Sequence, residues 1–148
     1  MDTTTAATSS TLRNLAKRKS KILIVDDEPD ISYTLKNVLE QQQQLVQENT
    51  SYEVSVFNDP VTALSNFQPG LYDLLLLDIR MPNMNGFELH YKLQKIDDKV
   101  KVCYISAYEL DYIRLREMFP SLKTECLIKK PVDMDDLVKR VKAELAQR

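Results

Sequence analysis

Four short apolar segments of this chain each end in polar residues that could handle a phosphoryl group. Ile22–Val25 is followed by Asp26 and Asp27, and Leu74–Leu77 is followed by Asp78. Val102–Ile105 is followed by Ser106, and Cys126–Ile128 is followed by Lys129 and Lys130. In an open parallel sheet, the carboxyl ends of the strands line the ligand crevice. If the segments are parallel strands, three carboxylates, a hydroxyl and an ammonium group meet there. That set suits binding a divalent cation and accepting a phosphoryl group on an aspartate.

The adjacent acids Asp26 and Asp27 suggest a metal site. Two carboxylates about 4 Å apart repel each other by roughly 4 kcal/mol at an effective dielectric constant of about 20. A divalent cation removes that conflict, and hard oxygen ligands with room for water suit Mg²⁺. Acids also decorate many helix N-termini without binding metal. The pair alone therefore leaves both interpretations open.

Asp78 favours the chemical interpretation. It follows four leucines and precedes the loop Ile79–Asn85. A wholly apolar strand belongs in the middle of a sheet, so Asp78 would face the acids of the first strand. A carboxylate there can attack phosphorus, and a metal ion can neutralise the phosphoryl oxygens. Taken one at a time, Asp78 could equally be a surface-turn acid, Ser106 an ordinary strand-ending serine and Lys130 a solvated lysine.

Strand and helix patterns alternate along the chain from Lys21 onward. The predicted strands are Ile22–Val25, Tyr52–Phe57, Asp73–Asp78, Lys101–Ser106 and Cys126–Lys129. The first predicted helix starts near Pro29, and the second runs from Pro60 to about Phe67. The third carries Leu89, Leu93 and Ile96 at helical spacing, and the fourth covers Leu110 to Phe119. The fifth has an apolar stripe of Met134, Val138, Val141 and Leu145. The first helix is expected to continue through the glutamines 41–44. Five alternating pairs predict right-handed crossovers and a three-layer α/β sandwich.

Bulk properties limit the classes of function. The length of 148 residues fits one domain, and the net charge of −2 offers no general electrostatic case for nucleic acid or an anionic membrane. No apolar run approaches the ~20 residues that span a bilayer, so we expect no membrane insertion. We expect residues 1–20 to form a flexible tail and residues 21–148 to form the domain. The tail lacks the apolar core of a signal peptide, which predicts a cytoplasmic location.

The cysteines and the histidine are expected to play no part in chemistry. Cys103 and Cys126 lie in apolar strands, which favours buried free thiols in a reducing compartment over a disulfide. His90, the only histidine, is expected to face solvent from the third helix. One histidine and two strand-borne cysteines give no zinc-binding spacing.

Together these residues resemble the response-regulator receiver domain of two-component signalling. The resemblance rests on Asp26-Asp27, on Leu-Leu-Asp78-Ile-Arg-Met-Pro-Asn-Met-Asn-Gly86, on Ile-Ser106-Ala107 and on Lys130-Pro131. It covers Lys21 to about Ala146. It implies a flavodoxin-like (βα)5 fold with parallel sheet order 2-1-3-4-5.

The resemblance also implies roles and partners. Asp78 would be the phosphoacceptor, Asp27 would bind Mg²⁺ directly, and Asp26 would act largely through water. The backbone carbonyl of Arg80 would be a further ligand, and Ser106 and Lys130 would contact the phosphoryl group. The donor would be a phosphohistidine on a sensor kinase or phosphotransfer protein. The output would go to an unknown downstream protein, without direct DNA binding, through the fourth helix, fifth strand and fifth helix.

The chain departs from the family pattern at three positions. Receivers often carry an aromatic residue three positions before the lysine, and here that position is Leu127. Signal transfer by a swinging aromatic ring is therefore in question. Arg80 and Tyr108 stand two residues after Asp78 and Ser106, near the path of the attacking water, so we expect them to alter the lifetime of the phosphoryl group.

Two other classes of function compete with a signalling receiver. A scaffold-type pseudo-receiver would bind partners without phosphorylation; the full acid, hydroxyl and lysine set argues against it, whereas Leu127 argues for it. A Mg²⁺-dependent aspartyl-phosphate phosphatase usually carries a second acid two residues after its nucleophile. Arg80 stands at that position, which argues against such an enzyme.

Overall fold

The predicted five-stranded parallel sheet is present. The computed structural model describes residues 19–45, 51–122 and 124–147. Its strands are β1 (Lys19–Val25), β2 (Ser51–Phe57), β3 (Leu74–Asp78), β4 (Lys101–Ser106) and β5 (Leu127–Lys129). They pair in parallel in the order β2-β1-β3-β4-β5. The fold class and the strand order expected from the sequence are confirmed.

Five helices connect and cover the strands in the described part of the chain. They are α1 (Pro29–Leu45), α2 (Pro60–Asn66), α3 (Gly86–Ile96), α4 (Glu109–Met118) and α5 (Met134–Ala146). The helix α1 runs through the four glutamines, as expected. The strand β1 begins at Lys19, inside the last two residues of the predicted tail. Residues 1–18 of that tail lie outside the described residues.

Side-chain caps fix where three of the helices begin. Asp59 accepts a hydrogen bond from the backbone N–H of Thr62 at the start of α2, with Pro60 as first helical residue. Asn85 caps α3 and Asp133 caps α5 in the same way. The helix α4 differs, because Tyr108 precedes it and makes no capping bond with its side chain.

Alternation along the strands divides the core into two layers. One row of each central strand packs beneath α2, α3 and α4; this row includes Leu23, Val25, Leu75, Leu77, Val102 and Tyr104. The other row packs beneath α1 and α5; it includes Ile22, Ile24, Leu74, Leu76, Cys103, Ile105 and Ile128. Successive side chains of a strand point to opposite faces. Every second residue of a strand belongs to the same row. Asp26, Asp78 and Lys130 therefore continue the row beneath α1 and α5, and Ser106 continues the row beneath α2, α3 and α4.

The prediction that the two cysteines are free thiols is wrong. Cys103 and Cys126 form a disulfide, with their Cα atoms 4.6 Å apart. The register pairs Tyr104 with Leu127 across β4 and β5, so the two preceding residues lie side by side on one face of the sheet. Both side chains are buried in the layer beneath α1 and α5.

The prediction that His90 faces solvent is also wrong. His90 lies on the buried face of α3 with Leu89 and Leu93. Its Nδ1 atom forms a short hydrogen bond with the hydroxyl group of Tyr104 on β4. Phe87 stacks on the same tyrosine ring, with centroids 4.2 Å apart. A polar residue fits this core because it finds a buried polar partner.

Within the described residues, no helix combines the length and the apolar character that a membrane span requires.

Candidate functional site

Four acidic side chains gather at the carboxyl edge of the sheet. Each of Asp26, Asp27, Glu28 and Asp78 offers a carboxylate oxygen, and these oxygens all lie within 4.8 Å of one another. Asp26 is fully buried, and its Oδ1 accepts a hydrogen bond of 2.9 Å from the backbone N–H of Glu28. Glu28 was not among the predicted site residues, although its position directly after Asp26 and Asp27 could have indicated it.

Lys130 brings its positive charge into this group of acids. Its ammonium nitrogen lies 3.1 Å from Oδ2 of Asp26, 3.4 Å from Oδ2 of Asp78 and 3.3 Å from Oε1 of Glu28. Only 11% of its side chain is exposed. The alternation of the sheet explains the meeting, because Lys130, Asp26 and Asp78 continue the same row of side chains.

The charges of the pocket shift the pKa values of Asp78 and Lys130. Burial, the nearby charge of Asp26 and a hydrogen bond with Asp27 raise the pKa of Asp78 to about 7, against the lowering effect of Lys130. Burial alone would lower the pKa of Lys130, but Asp78 and Asp26 outweigh it and raise that pKa. Without further positive charge, Asp78 is therefore only partly ionised near neutral pH.

Gly86 sets the position of the Asp78 backbone. A Cβ atom on Gly86 would lie closer to the carbonyl oxygen of Asp78 than van der Waals contact allows. The N–H of Gly86 also donates a hydrogen bond of 2.9 Å to the carbonyl of Ile79. The start of α3 thus packs directly on the end of β3, which only glycine permits.

Ser106 is buried at the end of β4, where its hydroxyl group bonds to the next turn of chain. Its Oγ donates to the carbonyl of Tyr108 at 2.9 Å and accepts from the N–H of Tyr108 at 3.0 Å. The structure thus places this predicted phosphoryl contact in the row opposite to Asp78 and engages it with the β4–α4 loop.

Arg80 extends its side chain away from the acids. Its Nη2 atom lies 2.9 Å from Oδ2 of Asp111 in the first turn of α4. Its guanidinium carbon lies 4.6 Å from the centroid of the Tyr108 ring. The role of its backbone carbonyl as a metal ligand stays a prediction.

The acids have the character of a cation site. Oδ2 of Asp26 is buried and has no aligned hydrogen bond among the described residues, and the ammonium group of Lys130 supplies the counter-charge beside it. A buried carboxylate oxygen left without a hydrogen bond costs free energy unless a cation compensates it. The donors are all hard oxygens, the class that Mg²⁺ prefers. The residues present therefore fit a magnesium ion.

Comparison with known proteins identifies the family. The family model described as the response regulator receiver domain matches residues 22–142. The chain belongs to this family. The receiver domain is a phosphoacceptor module of two-component signalling, and such domains are generally signalling modules without enzymatic turnover. Their Mg²⁺ sites are acidic pockets, as is the group of acids at this sheet edge.

Curated relatives include both whole-length and partial matches. The receiver is 31% identical over 126 residues to sporulation initiation phosphotransferase F of Bacillus subtilis (strain 168), covering 84% of this chain and 93% of that protein. It is 30% identical over 129 residues to the uncharacterized transcriptional regulatory protein YkoG of the same organism, covering 87% and 52%. This chain thus spans about half the length of some relatives that it matches.

Solved structures of receiver domains superpose on this one. The HemR receiver domain of Leptospira biflexa matches with a TM-score of 0.73 at 26% identity, covering 87% of this chain and 96% of that one. A CheY-like receiver domain protein of Methanospirillum hungatei JF-1 matches with a TM-score of 0.69 at 26% identity, covering 88% and 96%.

Proposed function

We propose that Asp78 receives a phosphoryl group from a phosphohistidine on a sensor histidine kinase or phosphotransfer protein. One observation carries the proposal: the carboxylate of Asp78 lies buried among the acids of β1 and within 3.4 Å of the ammonium nitrogen of Lys130. A bond forms between a carboxylate oxygen of Asp78 and phosphorus while the bond from phosphorus to the imidazole nitrogen breaks. The imidazole leaves with the electron pair, and it leaves as a neutral ring because its other nitrogen carries a proton.

The acids at the end of β1 are the proposed magnesium ligands. Asp27 and Asp78 bind the ion directly, Asp26 acts largely through water, and the backbone carbonyl of Arg80 completes the protein's contribution. When bound, the ion neutralises phosphoryl oxygens and favours the ionised form of Asp78. The short distances between the carboxylate oxygens support this assignment.

Lys130 and Ser106 are the proposed contacts of the phosphoryl group. Lys130 already faces Asp78, so it can pair with a phosphoryl oxygen by a small movement of its flexible stem. Ser106 has to give up its bonds to Tyr108 before its hydroxyl can donate to that group. Phosphorylation would therefore disturb the β4–α4 loop.

The output face is proposed to comprise α4, β5 and α5. The side chains of Leu110, Ile113 and Met118 on α4 are exposed, and such apolar groups suit a protein partner. The downstream protein is not identified. The lack of direct DNA binding and of membrane insertion, the absence of catalytic turnover and the cytoplasmic location stay predictions.

A phosphorylation assay tests the proposal and separates the three classes of function. The protein is incubated with Mg²⁺ and acetyl phosphate, and mass spectrometry looks for a base-labile phosphoryl adduct on Asp78. Asp78→Asn should abolish the adduct, whereas Asp135→Asn, the same change at an exposed residue of α5, should retain it. Failure of the wild-type protein to form an adduct would favour the scaffold. Rapid multiple turnover of a phosphate ester would favour the phosphatase.

A further inference from the structure

Arg80 joins the loop after β3 to the start of α4. Its guanidinium group pairs with Asp111 in the first turn of α4 and rests over the ring of Tyr108, the residue before that helix. Arg80 stands two residues after Asp78 in the sequence. One side chain thus spans from the neighbourhood of the phosphoacceptor to the helix of the proposed output face.

Arg80 follows Asp78 closely in the loop after β3. Leu75, Leu77, Ile79 and Met81 all belong to the core layer beneath α2, α3 and α4, so an alternation of buried residues continues beyond the end of β3. Asp78 and Arg80 are the residues between them and lie outside that layer. The long, flexible stem of Arg80 therefore starts two residues after the carboxylate that would carry the phosphoryl group.

Tyr108 is tied to the site from a second direction. Ser106 holds both the N–H and the carbonyl of Tyr108 through its single hydroxyl group. Arg80 covers the ring of the same residue. The two proposed neighbours of a phosphoryl group on Asp78 therefore both hold the residue from which α4 begins.

The contacts that hold the start of α4 are weak enough to exchange. Oδ2 of Asp111 has no aligned hydrogen bond in the described part of the chain, so its contact with Arg80 is charge pairing at 2.9 Å. The side chain of Arg80 is 68% exposed, and exposed ion pairs contribute little free energy. The helix also begins without a side-chain cap.

We propose that Arg80 is the residue that reports phosphorylation to α4, by exchanging Asp111 for the phosphoryl oxygens on Asp78. The inference rests on the proposed phosphorylation of Asp78. A phosphoryl group carries a charge of about −2 and three strong acceptor oxygens. Arginine pairs with phosphate in a bidentate geometry that the present contact with Asp111 does not show.

The exchange loosens the beginning of α4. Asp111 loses its counter-charge, and Tyr108 loses the guanidinium above its ring and the hydroxyl of Ser106 at the same time. The exposed Leu110 and Ile113 belong to this first stretch of the helix, so its movement changes the surface that a partner meets. The mechanism works with Leu127 in place of the aromatic residue that receivers often carry on β5.

Hydrogen exchange measured by mass spectrometry tests the inference on the full chain. Peptides that cover residues 108–115 are compared before and after phosphorylation with acetyl phosphate and Mg²⁺, and the intact mass reports the fraction phosphorylated. We expect exchange there to become about two- to fivefold faster on phosphorylation, the factor that corresponds to losing one exposed ion pair. Unphosphorylated Asp111→Asn should already show part of the faster exchange, and phosphorylation should add less to it than to the wild type, because only the contacts of Tyr108 with Arg80 and Ser106 are still to be lost.

Glu109→Gln is the matched control. It makes the same chemical change in the same helical turn but breaks the pair with Lys129, whose side chain is exposed. This variant should keep the full response to phosphorylation. Equal exchange in phosphorylated and unphosphorylated wild-type protein, or an Asp111→Asn variant that behaves like Glu109→Gln, would overturn the inference. A missing phosphoryl adduct would instead overturn the proposed function, since the intact mass is read separately.

Discussion

The ammonium nitrogen of Lys130 lies 3.4 Å from Oδ2 of Asp78, and the same nitrogen lies 3.1 Å from Oδ2 of Asp26. One positive charge thus serves two buried carboxylates. The raised pKa of Asp78, about 7, is the electrostatic result of burial and of the charge of Asp26. The pocket gains stability when it binds a proton or a cation.

Replacing Asp78 by asparagine should stabilise the metal-free protein at high pH. The pKa of Asp78 is raised from 3.8 to about 7 in the folded state. Its contribution to the free energy of unfolding is therefore fully present below pH 3.8 and is lost as pH rises to 7. Above pH 7, Asp78→Asn should raise the free energy of unfolding by about 2–4 kcal/mol, and near pH 4 the gain should shrink. Urea denaturation followed by circular dichroism measures both values.

Magnesium should stabilise the wild-type protein more than Asp78→Asn. The ion offsets the repulsion among the acids, and its binding to the folded state alone raises the free energy of unfolding. Asp135→Asn serves as control and should respond like the wild type. Equal magnesium-induced shifts in Tm for wild type and Asp78→Asn would contradict the assignment of Asp78 as a ligand.

Replacing Gly86 by alanine should damage both stability and phosphorylation. The added Cβ atom would push on the backbone carbonyl of Asp78, and overpacking of this kind costs about 1–3 kcal/mol. The carboxylate should then move relative to Lys130, lowering the rate of adduct formation with acetyl phosphate. Gly70→Ala is the comparison, because Gly70 has a positive φ of 78° and open space around it. It should lower Tm and leave the phosphorylation rate unchanged.

His90 should make the protein sensitive to acid. Burial lowers the pKa of His90 from 6.5 to about 4, so its stabilising contribution is present above pH 6.5 and is lost as pH falls towards 4. His90→Asn keeps a hydrogen-bonding group near Tyr104 but does not titrate. Between pH 6.5 and 4.5 the protein with His90 should lose about 2–3 kcal/mol more stability than the variant. Both are compared in the Asp78→Asn background, since Asp78 acts in the opposite direction there.

Arg80 and Tyr108 should prolong the life of the phosphoryl group. Their bulky side chains follow the ends of β3 and β4, near the path of the attacking water, and should restrict its approach whether or not they stay stacked. In Arg80→Ala and Tyr108→Ala, loss of the adduct should become about two- to fivefold faster, a factor of the size of one weak exposed contact. Lys95→Ala removes a similar contact with Tyr91 on α3 and should leave the rate unchanged. Unchanged rates in both site variants would count against shielding.

The sequence was sufficient to predict the sheet because each strand of the core carries a strong local signal. The continuous apolar runs of β1 and β3 mark strands buried on both faces, and the cap Asp59 is readable from its place before Pro60. The meeting of Asp26, Asp78 and Lys130 follows from the strand order, because the carboxyl ends of neighbouring parallel strands share one edge.

Contacts that depend on strand register or on how the helices and loops pack could not be predicted. The disulfide depends on the register of β4 against β5, and the burial of His90 depends on the depth at which α3 packs over Tyr104. The pair of Arg80 with Asp111 depends on the path of two loops. The residue pattern of a single segment does not determine these contacts, because they form only when the helices and loops pack on the sheet.

The shared row of Asp26, Asp78 and Lys130 links correct pairing of the strands to the ability to accept a phosphoryl group. Because the step that buries each leucine also decides where the following acid points, a slip of one residue in either central strand would both expose core leucines and dismantle the acceptor. A misassembled copy could not carry the signal. Phosphorylation of Asp78 would therefore occur only in molecules whose strands pair in the native register.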